Sequence, residues 1–120
     1  ECTIVSTEDL FARLARSLCP AWIIEAGEVD GVHSGDPHRD AVVRLIPEIH
    51  RGNYAEIERM LSGSFGTDVT GGMASKVAGL YQLIGQQPAL RARIISGSRP
   101  GVVQRVLQDP EATEGTLLRY

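Results

Sequence analysis

Apolar positions along the chain switch repeatedly between two spacings. Thr3 to Val5 is a short β-branched run that predicts a strand. Behind the acidic pair Glu8 and Asp9, residues Leu10, Phe11, Leu14 and Leu18 form an apolar stripe at helical spacing, which predicts a helix closed by Pro20. Trp22, Ile23 and Ile24 are continuously apolar, as in a strand covered on both faces of a parallel sheet. EVDGVHSGDPHRD is dense in turn formers, and VVRLIPEI then resumes extended character, with Pro47 marking a strand end or a sheet edge. Asn53 followed by Glu56 resembles a capping box and opens a helix running to about Leu61. After the glycine-rich loop SGSFGTDVTGG, apolar residues at 73, 77, 80 and 84 predict a second long helix. RARIISG reads as a buried strand, PGVVQRVLQ as a helix with Pro100 in its first turn, and GTLLRY as a last short strand. Strands and helices alternate throughout, which predicts a layered α/β domain with a mostly parallel central sheet.

Composition narrows the picture by exclusion. The 120 residues suit one small domain, and 42% hydrophobic with 22% charged residues is an ordinary globular balance. A net charge of -3 gives no general attraction for nucleic acid or anionic membrane. No apolar run approaches the roughly 20 residues of a spanning helix, and no charged-then-apolar leader is visible, so a cytoplasmic location is expected. Cys2 and Cys19 form no CxxC pair and read as free, half-buried thiols. His33, His38 and His50 match no metal-ligand spacing, so no resident metal is expected. The chain starts without methionine almost inside an apolar run, and we expect it to be part of something longer.

The stretch DVTGGMASK carries the candidate chemistry. Glycines at 71 and 72 beside a helix start would let an anion approach the first amide groups, which the helix dipole favours. Lys76, the only lysine among twelve basic residues, lies about one turn in, where the dipole is already positive. A polyphosphate between the lysine and the amides would resolve that misfit, and a compact ammonium can follow a phosphate as it transfers. The same residues also suit a surface lysine after a structural glycine turn. The order Gly-Met-Ala-Ser-Lys is not a Walker A loop, and no GxGxxG follows a strand.

DVTGGMASKV resembles the phosphate-binding segment of the amino-acid kinase superfamily, and DVTGGM in particular that of its isopentenyl phosphate kinase branch. TIVSTEDLFARLA, EVDGVHSGDP and RIISGSRPGVVQRVL followed by GTLL are similar to further segments of that family, in its order, so the resemblance spans essentially the whole chain. It implies a three-layer α/β/α sandwich with a mostly parallel sheet. Residues 1–120 would form the nucleotide-binding C-terminal half of a carbamate kinase-like fold, without the N-terminal half. It implies ATP and Mg²⁺ as cofactors, a small-molecule phosphate acceptor, a homodimer, and transfer of the γ-phosphate to isopentenyl phosphate. A uridylate or fosfomycin-type kinase, or a non-catalytic nucleotide-binding or storage protein, shares the same segments.

Residue by residue, the resemblance assigns Lys76 to neutralising the transferring phosphoryl group. Glu8 falls where an aspartate normally orients the catalytic lysines. Gly71 and Gly72 meet the nucleotide phosphates, and Glu28, Asp30, Gly31, His33 and Asp36 fall at nucleotide-binding positions. His33 stands where tyrosine is usual; it could stack on a base or simply occupy a turn. Ser6 and Thr7 occupy the turn that meets the acceptor.

Overall fold

The computed structural model describes residues 3–35, 42–63 and 71–120. In chain order the elements are α1 (Thr7–Leu18), β1 (Trp22–Gly27), β2 (Glu48–Ile49), α2 (Tyr54–Gly63), α3 (Gly71–Gln86), β3 (Arg91–Ser96), α4 (Val102–Gln108) and β4 (Thr116–Leu118). The strands lie side by side in the order β1-β3-β4-β2. β1 runs parallel to β3 and β2 parallel to β4, while β4 meets β3 antiparallel. The expected α/β class with a mostly parallel sheet is therefore what forms. As Pro47 suggested, β2 lies at an edge of the described sheet, where the Pro47 carbonyl accepts from the Leu117 amide at 2.9 Å.

The two faces of the sheet carry separate cores. On one, Ile23, Ala92, Ile94 and Leu118 pack against Ala15 of α1, Ile57 of α2 and Val77, Leu80 and Ile84 of α3. On the other, Ile95 and Ile24 pack against Val102 and Val106 of α4. Of the stripe predicted for the long helix, Val77, Leu80 and Ile84 are buried and Met73 partly so, with Leu83 added beside them.

Several local expectations are corrected. Residues 3–5 pair with no strand among the described residues, and Ile4 is fully exposed, because no sheet edge lies alongside them there. In α1 the leucines Leu10, Leu14 and Leu18 face outward and Phe11 lines the cleft toward α3; the helix docks through Ala15, a small residue that lets it approach α3 closely. Gln87 Nε2 donates to the Ala15 carbonyl at 3.2 Å and fixes that contact. Asn53 does not cap α2 with its side chain. Its Oδ1 accepts from the His50 amide at 2.8 Å and its Nδ2 donates to the Glu48 carbonyl at 2.9 Å, so it clamps the turn behind the helix. Pro100 lies outside α4, whose N-cap is Gly101 in a left-handed conformation. Cys19 is exposed rather than half-buried, because it forms the left-handed C-cap of α1. Cys2, His38 and most of the glycine-rich loop lie outside the described residues, and so does any pairing of Cys2 with Cys19.

Thr116 ties β4 to the turn after β1. Its fully buried Oγ1 accepts from the Val32 amide at 2.8 Å and donates to the Ile46 carbonyl at 2.7 Å. Thr116→Val keeps the shape and removes both bonds, so two backbone groups lose this partner. We expect a loss of about 2–4 kcal/mol, read as a lower urea midpoint at unchanged slope.

Candidate functional site

At the start of α1, the Ser6 side chain caps the helix by accepting from the Asp9 amide at 3.1 Å. That cap fixes the first turn, which carries Glu8. Across from it, the first turns of α3 present Gly72 and Lys76. Between the two helices, above β1, lies a cleft of about 450 Å³ lined by Ser6, Glu8, Glu25, Gly72, Ser75 and Lys76 among others. A Cβ built at Gly72 would meet nothing within 4 Å, so the backbone beside the cleft is open to a ligand. The first amides of α3 have no partner within the helix and carry its positive dipole end.

Lys76 Nζ is held between two carboxylates from different elements, at 3.4 Å from Glu8 Oε1 and 3.3 Å from Glu25 Oε2. The lysine side chain is 22% exposed, so it is neither loose in solvent nor sealed in the core. Glu25 is different. It is 7% exposed on β1, an edge strand of the described sheet, and among the described residues neither of its oxygens has a hydrogen-bond donor in bonding geometry. The 3.3 Å approach of Lys76 is thus an ion pair without a well-directed hydrogen bond. Burial pushes the Glu25 carboxyl above its usual range; Lys76 opposes the rise, and the nearby Glu8 charge adds to it.

The expected site residues divide between two places. Ser6, Glu8, Gly72 and Lys76 share the cleft just described. Asp30 lines a separate cleft of about 220 Å³ with Ser96, Arg99 and Gly115. There Asp30 pairs with His33 Nε2 at 3.0 Å and lies 3.9 Å from Arg99 Nη1. The histidine ring is thus held by a carboxylate in the turn after β1. Gly31 is buried beneath β4, where a Cβ would come within 2.7 Å of both Leu45 Cδ1 and Thr116 Oγ1; close packing is what requires glycine there. Glu28 and Thr7 are exposed, Gly71 opens α3, and Asp36 lies outside the described residues. Sequence reasoning missed Glu25, Ser75 and Arg99. Glu25 left a signal, a lone carboxylate inside the otherwise apolar strand WIIEAG.

A lysine, two carboxylates and a glycine-led helix start thus share one cleft of an α/β domain. Residues 1–96 match the sequence profile of the Amino acid kinase family, and the chain belongs to that family. It is 31% identical over 109 residues to isopentenyl phosphate kinase of Methanothermobacter thermautotrophicus, covering 91% of this chain and 39% of that protein. It is 32% identical over 100 residues to glutamate 5-kinase of Synechococcus sp., covering 83% of this chain and 26% of that one. The crystal structure of UMP kinase from Bacillus anthracis superposes with a TM-score of 0.68 over 97% of this chain and 41% of its own, at 21% identity, a likeness of fold. The chain therefore spans well under half the length of the relatives it matches. No helix among the described residues is long and apolar enough to cross a membrane.

Proposed function

We propose that this chain is the nucleotide-binding half of an ATP-dependent kinase that moves the γ-phosphate of ATP onto isopentenyl phosphate, giving isopentenyl diphosphate. The observation that carries the reading is Lys76 clamped by Glu8 and Glu25 beside the open backbone of Gly72. Phosphoryl transfer requires positioning and charge neutralisation more than covalent chemistry. The α3 amides near Gly72 would receive the phosphates, and Lys76 would neutralise charge developing on the group in flight. Glu8 would hold the lysine on line, and Ser6 and Thr7 would face the acceptor. Asp30, His33 and Asp36 would hold the far end of the nucleotide.

Among the described residues no cluster of three or more His, Cys, Asp and Glu could ligate a metal. Mg²⁺ would thus be held chiefly by the nucleotide's own phosphates, whose charge it screens. The rest of a family-length polypeptide would complete the acceptor pocket, and the 120-residue piece alone would turn over negligibly. We further propose that the complete enzyme works in the cytoplasm as a homodimer.

A second reading has specific support: glutamate as acceptor, in keeping with the glutamate 5-kinase relative and with the acidic residues Glu8, Asp9 and Glu25 that line the Lys76 cleft, which suit an ammonium group. The protein at its natural length, supplied with Mg-ATP, is expected to release ADP with isopentenyl phosphate and not with UMP, glutamate or fosfomycin. Turnover on another of these would keep the phosphate cradle and replace the acceptor. Nucleotide binding without turnover on any of them would favour a non-catalytic nucleotide-binding protein.

A further inference from the structure

Glu25 is the buried ionisable group whose place the proposed reaction leaves unexplained. It projects from β1 into the Lys76 cleft, only 7% exposed, with Lys76 Nζ 3.3 Å from Oε2 and, among the described residues, no well-directed hydrogen bond to either oxygen. A carboxylate in that position is stable only through Lys76. Yet Lys76 is shared, because Glu8 lies as close to it as Glu25 does. With all three groups ionised, one positive charge faces two negative ones, which is unfavourable ground for an incoming phosphate.

We propose that Glu25 is a proton-linked counter-ion: a phosphoryl anion that arrives at Lys76 takes the ammonium for itself, and Glu25 takes up a proton from solvent. The inference rests on the phosphoryl-donor reading above and assigns this chain a role for Glu25 beyond that of Glu8. Glu8 is the better solvated of the two carboxylates, its side chain 42% exposed against 7% for Glu25. The other charges on the cleft are Asp9 and Arg16, both from α1. From β3 the residues facing Glu25 are apolar, Ile94 directly in register and Ala92 before it. Neither of these two side chains offers Glu25 a substitute for the lysine.

The sign follows from burial. Desolvation already raises the Glu25 carboxyl, and attraction to Lys76 is the main influence opposing that rise. The stability linked to this group is complete below the ordinary carboxylate pKa and is lost as pH rises through the raised folded value. Once a phosphate engages Lys76, that opposition weakens and the carboxyl rises further. Nucleotide affinity should then fall with pH between the free and bound values of Glu25, approaching about tenfold per pH unit for one linked proton.

The test is calorimetric titration of the natural-length protein with a non-hydrolysable ATP analogue, in buffers of different ionisation heat and at several pH values. The near-isosteric Glu25→Gln serves as the comparator. Wild type should take up close to one proton more than Glu25→Gln in the window above the ordinary carboxylate range. Its affinity should fall with pH there while that of Glu25→Gln falls less. Titration of the analogue's own phosphate is common to both proteins and cancels in the difference. Equal proton uptake in the two proteins, or none in wild type, would overturn the inference and leave the nucleotide reading standing. Absence of binding to both proteins at every pH would overturn the nucleotide reading and this inference together.

Discussion

Lys76→Ala in the natural-length protein should lower phosphoryl transfer by about 10²–10³-fold, the usual cost of removing one group aimed at developing charge. The fold should survive. The position lies within α3 beside its buried stripe, alanine is the best helix former, and Val77, Leu80 and Ile84 of that stripe are untouched. Glu25 would lose its counter-ion and would take up a proton rather than stand as an unpaired buried charge. Lys76→Arg should restore little, because a planar guanidinium held between Glu8 and Glu25 cannot follow a moving phosphoryl group as an ammonium can. Steady-state ADP release alongside a melting curve checks both halves of the expectation. An alanine variant that folds and turns over at the wild-type rate would remove Lys76 from the mechanism.

The largest expected effect on stability comes from a glycine rather than a core side chain. Gly115 precedes β4 with φ +71°, and a Cβ there would stand 2.0 Å from the Ile94 carbonyl oxygen. That oxygen belongs to a central strand, whose residue Ile94 pairs with Thr116 in the antiparallel ladder, so neither partner can give way cheaply. Gly115→Ala combines left-handed strain with a backbone clash, and we expect it to cost about 3–5 kcal/mol in urea unfolding. Gly85→Ala provides the contrast. In α3 a Cβ at Gly85 meets nothing within 4 Å, and the same substitution should stabilise by about 0.5–1 kcal/mol. A modest cost at Gly115 would mean that the β3–β4 pairing is looser than its register implies.

Much of the candidate site was legible before any coordinates. The glycine pair, the lone lysine one turn later and the acid at the start of α1 are local features, and local features are readable because helix starts and turns are written in adjacent residues. The structure brings Glu8, Gly72 and Lys76 to one cleft. The placing of Asp30 in a second cleft, with His33 paired to it, does not appear in the sequence, because nothing in EVDGVHSGDP says which helix end or strand end will stand beside it. His33, left open between a base-stacking ring and a turn residue, proves to be paired with Asp30 in the turn.

The alternation of helices and strands, the buried stripe of α3 and the two apolar runs that became β1 and β3 were legible in the residues alone. Those depend on spacing along one element, and spacing survives any arrangement of neighbours. Tertiary structure alone decided that β4 runs antiparallel to β3 and that α1 docks by Ala15 while its leucines face outward. It also decided that Glu25 lies beneath Lys76. Each is a contact between residues far apart in the chain. Such contacts are chosen by the packing of whole faces against one another, and no local pattern records which face will win.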